Sequence, residues 1–147
     1  MTVMQNYAEL LFTDAVKAYQ EQAGMRETYE RIYSNRHRGP LDEDTIAFLS
    51  GSTSFYIATT GSNGWPYIQH RGGPVGFVKI LGPDTIGFAD YLGNRQFITR
   101  GNLDGSDRVS LFFMDYPRRA RLKMLGEARM VDAASDPDLQ DALAQDG

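Results

Sequence analysis

The residues in this chain best suited to chemistry fall into two short stretches. In Tyr67-Ile68-Gln69-His70-Arg71-Gly72-Gly73-Pro74-Val75-Gly76, an expected strand ends on His-Arg and runs into a glycine-rich loop. Such a loop can bring backbone amides close to a ligand, beside a guanidinium suited to bidentate phosphate binding. An ordinary β-loop with a solvated arginine fits the same residues about equally well. The second stretch, Phe88-Ala89-Asp90-Tyr91-Leu92-Gly93-Asn94-Arg95-Gln96-Phe97, leaves one expected strand and enters an expected short helix. Asn94, Arg95 and Gln96 at a helix start form a natural anion site. A plain capped helix explains Asn94 but does not require Arg95. Two loops that each carry an arginine can close on one phosphate.

Other chemistries find little support. The absence of cysteine excludes disulfides, Cys-ligated zinc, iron–sulfur clusters and a thiol nucleophile. His37 and His70 are the only histidines, and neither has metal-ligand spacing. His70 flanks the glycine loop and could act on a substrate, but a lone histidine more often bonds a backbone group. Asp115 to Lys123 holds four basic residues, Arg118, Arg119, Arg121 and Lys123. At a hairpin tip such a run is expected to be solvated rather than to bind an anion or RNA.

The elements that must position these residues change character along the chain. Leu10, Leu11, Ala15, Val16 and Tyr19 recur at helical spacing between Tyr7 and Gln22, and Gly24 ends that expected helix. A second short helix is expected over Met25 to Tyr33, then a basic loop from Arg36 to Pro40. A third helix follows, capped by Asp42 and stopped by Gly51. After Gly51, β-branched and aromatic residues dominate. Strands are expected at Ser54 to Thr60 and Trp65 to Arg71, then at Phe77 to Leu81 and Thr85 to Ala89. A short helix over Gln96 to Asn102 precedes a third pair, Arg108 to Met114 and Ala120 to Val131. Ser135 reads as the N-cap of a last helix that runs to about Ala144. This pattern predicts a mainly β, α+β fold: a small antiparallel barrel with flanking helices. Residues 1–50 form an N-terminal helical segment expected to pack on the barrel of residues 51–147, within a single domain overall.

At 147 residues the chain has one domain's length, and its net charge of −4 disfavours a nucleic-acid partner. A hydrophobic content of 41% fits a globular protein, and no apolar run approaches the roughly 20 residues of a spanning helix. The N-terminus lacks the basic start and apolar core of a signal peptide, so a cytoplasmic protein without membrane contact is expected.

The ordered series from Tyr67 to Lys79, from Gly87 to Gln96 and from Leu111 to Pro117 resembles the pyridoxamine 5′-phosphate oxidase-related family of FMN-binding split barrels, in a bacterial branch of uncertain substrate. The likeness reaches upstream to Phe12 and downstream to Arg129. It implies a homodimer of six-stranded Greek-key barrels with FMN in two clefts at the interface. Carried over residue by residue, Arg71 and Lys79 are implied as phosphate contacts on one side, and Asn94, Arg95 and Gln96 on the other. Val78 and Ala89 are implied to offer backbone groups to the ring edge, Tyr67 and Gln69 to line the ring from the same or the opposite subunit, and Lys123 to lie near the cofactor. His70 and Tyr67 are the candidate proton donors toward a substrate. Relatives continue past the last helix into a further strand and tail, which in true pyridoxamine phosphate oxidases contacts the substrate phosphate. This sequence ends at Gly147, so an incomplete barrel or a truncated chain, and not the named vitamin reaction, is the expectation.

The expected function is therefore a flavin-dependent oxidoreductase acting on a small molecule, with NAD(P)H as the candidate reductant. A non-catalytic flavin carrier or sensor is the alternative, and a nucleic-acid-binding barrel is disfavoured.

Overall fold

A computed structural model describes residues 1–4, 7–34, 40–91 and 93–144. The expected basic loop at 36–39 with His37, Leu92 of the second motif, and the last three residues lie outside them. The chain divides into two compact units, Met4–Gly39 and Met1–Val3 with Pro40–Gly147.

The first unit is helical, and the single helix expected over Tyr7 to Gln22 is two: α1 (Tyr7–Leu11) and α2 (Asp14–Gln22). Thr13 is the reason. Its hydroxyl accepts from the amide of Val16 at 3.4 Å, which starts a new helix instead of continuing the old one. Gly24, at φ +68°, turns the chain into α3 (Arg26–Ser34). Rings hold the unit together: Phe12 meets Tyr33 edge-on at 5.1 Å and Tyr29 at 6.0 Å, while Tyr7 stacks on Tyr33.

The second unit carries the sheet. Helix α4 (Glu43–Gly51) is capped by Asp42, as expected, and sends Leu49 into the core. Strands β2 (Ser54–Thr60) and β3 (Pro66–Gly72) form the expected hairpin with Tyr56 opposite His70. The next hairpin is shorter than expected, reduced to β4 (Lys79–Ile80) and β5 (Ile86–Gly87). Helix α5 (Ile98–Gly105) is followed by β6 (Arg108–Asp115) and β7 (Ala120–Glu127). The last helix, α6 (Pro137–Leu143), is capped by Asp136 and not by Ser135, which ends a 3₁₀ turn at Ala133–Ser135. Asp136 Oδ1 accepts from the amide of Leu139 at 3.0 Å.

To the six expected strands the structure adds a seventh, β1 (Thr2–Met4). It completes a five-stranded sheet in the order β1-β7-β6-β2-β3 and also meets the two-stranded β4-β5 ladder. Val3 donates to Asp84 at 2.7 Å, and Met1 and Ile86 exchange bonds of 2.8 and 2.9 Å. A three-residue strand has no sequence signature of its own, because partners more than eighty residues away create it. Gly126 on β7 permits the approach, since a Cβ there would lie 2.6 Å from the carbonyl oxygen of Thr2.

The core follows the two-residue alternation of the strands. Phe55 and Ile57 of β2 join Val109, Leu111 and Phe113 of β6 on the inner face. The Phe55 ring lies 4.8 Å from Phe113, 5.0 Å from Phe88 and 5.8 Å from Phe77. Burying such aromatic side chains stabilises the fold by roughly 1.5–3 kcal/mol each.

Candidate functional site

Alternation along β3 separates its side chains into two sets. Tyr67, Gln69 and Arg71 are half-buried, whereas Ile68 and His70 are exposed on the other face. The half-buried set lines a cleft of about 1250 Å³. Its second wall is the segment from Ala89 through Arg95 and Gln96 to the start of α5, and residues 127–133 with α6 close it.

The segment entering α5 has an unusual backbone. Gly93, Arg95 and Phe97 have φ of +43°, +58° and +56°, while Asn94 and Gln96 between them do not. Alternation of this kind turns successive amides toward one side and makes an anion-binding concavity. Asn94 helps to shape it by accepting from the amide of Gln96 at 3.1 Å. Phe97 precedes α5 from the left-handed region without a side-chain cap, which leaves the first amides of the helix facing the same loop.

Two polar clips fasten α5 to the sheet. The Thr99 hydroxyl donates to Gln69 Oε1 at 2.8 Å, and Asn102 Nδ2 donates to Thr59 Oγ1 at 2.9 Å. Thr99 and Thr59 are both buried, so each bond replaces hydration that is no longer available. The first clip also fixes the Gln69 carboxamide at the cleft wall, with its oxygen committed and its NH₂ without a hydrogen-bond partner among the described residues.

Arg71 and Asp90 form an ion pair across the cleft floor. The Nε of Arg71 is buried with no hydrogen-bond partner among the described residues, so the guanidinium retains an unspent donor. At the rim, Arg100 reaches Asp132 at 3.3 Å, an exposed pair of small energetic weight. The amino group of Met1, also at this cleft, titrates below its ordinary value because burial disfavours its charge and Arg129 repels it.

Seven of the residues singled out from sequence thus share the cleft: Tyr67, Gln69, Arg71, Ala89, Asn94, Arg95 and Gln96. Val78 and Lys79 do not line it. Val78 is a core side chain, and Lys79 sits on β4 opposite Gly87. His70 and Lys123 lie on the outward face of the sheet. There the register aligns Lys123 with Phe112, Phe112 with Tyr56, and Tyr56 with His70. His70 meets the Tyr56 ring edge-on at 5.4 Å, and the Lys123 ammonium lies 6.0 Å from the Phe112 centroid.

The glycine loop that drew attention to Arg71 is not itself at the cleft. Gly73 is needed because a Cβ would strike the buried Phe77 ring at 2.6 Å, and Gly76 supplies a turn at φ +85°. Asp90, Thr99 and Phe97 were not legible as cleft residues. The signal available was the two-residue period of β3, which puts Gln69 and Arg71 on one side and asks what faces them. Among the described residues there is no cluster able to hold a metal ion, and no helix long and apolar enough to cross a membrane.

Comparison with known proteins agrees with this architecture. No curated protein sequence matches the chain. Among solved structures, a tagged histidine-to-alanine variant of HupZ from Group A Streptococcus superimposes with a TM-score of 0.52. The match covers 71% of this chain and 86% of that one at 16% identity, which is a likeness of fold. The family model described as pyridoxamine 5′-phosphate oxidase matches residues 41–146, nearly the whole of the sheet-bearing unit. With its antiparallel split-barrel sheet and flanking helices, the chain belongs to the pyridoxamine 5′-phosphate oxidase family.

Proposed function

We propose that the cleft binds FMN and that the protein is a flavin-dependent oxidoreductase acting on a small molecule. The observation that carries this reading is the convergence of Arg71 and the Gly93–Phe97 loop on one cavity. The residues suit a phosphorylated ligand. Arg71 has a buried Nε without a partner, and the alternating backbone of the loop presents amides beside Arg95. Members of this family commonly bind a flavin, which favours FMN over other phosphorylated molecules.

In this reading the side chains of Arg95, Asn94 and Gln96 hold the phosphate together with loop amides other than that of Gln96, which Asn94 already accepts from, and Arg71 adds a charge-assisted bond from β3. Lys79, the fifth phosphate contact that the family resemblance implies, lies outside the cleft lining and would need a shift of β4 to take part. Gln69 directs its NH₂ donors at the polar edge of the ring system, and the backbone of Ala89 lies on the opposite wall. When bound, the flavin supplies hydride or electron transfer, and the protein supplies orientation and a cavity screened from water. Tyr67, the candidate that the sequence also offered, has a hydroxyl at the cleft able to donate a proton to a substrate. His70 and Lys123, on the outward face, act on such a site only across a subunit interface. That role fits a homodimer with FMN between subunits, in which the outward aromatic row is the contact. NAD(P)H as the reductant and a cytoplasmic setting complete the proposal.

Purified protein should be yellow, and mass spectrometry of the released ligand should return FMN. A colourless protein that takes up no added FMN overturns the reading. Bleaching of the bound flavin by NADH or NADPH supports an enzyme. An unreactive bound flavin points to a carrier or sensor, a role consistent with a cleft to which His70 of the same chain does not contribute.

A further inference from the structure

We infer that Phe97 is a ligand-contacting residue of this cleft, held in a backbone conformation it does not favour so that its ring screens the anion-binding loop from water. The inference rests on the FMN reading above and assigns a residue that the family resemblance did not supply.

Three observations carry it. Phe97 has φ +56° and ψ +22°, a region that bulky residues rarely occupy and that glycine enters without steric penalty. Its side chain offers the helix nothing in return, because a phenylalanine cannot accept from the first amides of α5 as Asn or Ser would. Nor does the core claim the ring, which is 54% exposed at the cleft wall. A strained backbone and an exposed apolar ring are each unfavourable for the free protein. The two meet at one position on the wall of the proposed site, where a seated ligand would offset both.

The neighbourhood says what that benefit is. Tyr91 and Ile98, also exposed, line the same cavity on either side of the polar residues Asn94, Arg95 and Gln96. Three apolar side chains around a polar loop exclude water once a ligand is seated, and each hydrogen bond to the bound anion strengthens as the local dielectric falls. Strain of this kind, at a position that faces a ligand, is stability given up for binding.

The test separates side chain from backbone with Phe97→Gly, Phe97→Ala and Phe97→Leu. Each is titrated with FMN by flavin fluorescence quenching and unfolded thermally without ligand. Phe97→Gly should raise the Tm of the ligand-free protein by a few degrees while weakening FMN on the order of ten-fold. Phe97→Ala should lose the same affinity without the gain in Tm, since alanine keeps the backbone penalty. Phe97→Leu should stay close to the parent in both measurements. Unchanged FMN affinity in Phe97→Gly would remove the ring from the site, and a lower Tm in that variant would show that the position serves the fold instead. If the parent protein binds no FMN, the flavin reading itself fails and this inference falls with it. Normal binding by the parent with indifferent variants overturns the inference alone.

Discussion

The loop from Gly93 to Phe97 and the hairpin tip from Tyr116 to Arg119 are built from similar parts. Each holds an arginine in the left-handed region, Arg95 at φ +58° and Arg119 at +51°. The tip is richer in charge, with Arg118 beside Arg119 and with Arg121 and Lys123 just beyond. Yet Arg118 is 85% exposed and turns back on its own strand, where Asp115 accepts from its amide at 3.1 Å and lies 3.6 Å from its guanidinium. The tip satisfies itself and is otherwise solvated. The Gly93–Phe97 loop carries one arginine, but β3 stands opposite it and the clips Thr99–Gln69 and Asn102–Thr59 fix the distance. In the proposed reading, an anion site depends on donors that converge from braced elements, and a dense run of positive charge at a solvated tip is not expected to make one.

The largest test of this contrast is the removal of one arginine from each region. Arg95→Ala should weaken FMN by about 1.5–3 kcal/mol, roughly ten- to a hundred-fold in Kd, if it makes a charge-assisted phosphate bond. Arg118→Ala should leave FMN binding unchanged and alter stability by no more than about 0.5 kcal/mol in urea unfolding. Equal effects at the two sites would erase the distinction.

Breaking the brace should come next. Thr99→Val removes the hydroxyl that donates to Gln69 and leaves the half-buried Gln69 side-chain carbonyl without that partner. A stability loss of about 1–2 kcal/mol is expected, with a several-fold rise in the Kd for FMN as the loop loses its register against β3. Retained affinity would mean that the loop holds its shape without the clip.

The smallest expected effect comes from the tip backbone. Arg119→Gly should stabilise the protein by about 0.5–1 kcal/mol, because glycine enters the left-handed region without a Cβ penalty, and FMN affinity should not move. Set beside Phe97→Gly, this variant isolates the same backbone relief at a position with no ligand to lose.

Much of the second unit was readable in advance. The hairpin β2–β3, the pair β6–β7 and the capped helix α4 follow from local patterns: β-branched runs, turn residues and an Asp N-cap. The weaker readings failed where a local choice competed with another. Thr13 intervened as a cap and split one helix into two, and Asp136 outcompeted Ser135 at the last helix. The site was half legible. Arg71, Asn94, Arg95 and Gln96 stood out by type and spacing, whereas Asp90 and Thr99 matter through partners nineteen and thirty residues away.

What the sequence by itself determined is the chemistry on offer: no thiols, two histidines, and two arginine-bearing loops on either side of a β-hairpin. The family membership is likewise a property of the sequence, carried by residues 41–146. Only the tertiary structure decided which of those groups meet. The two-residue period of β3 sends Gln69 and Arg71 into the cleft and His70 to the opposite face, while Gly73 proves to be a packing requirement of Phe77. Residue type is a property of one position, whereas convergence on a ligand depends on strand register, helix docking and backbone handedness, and these are fixed only when distant segments pack together.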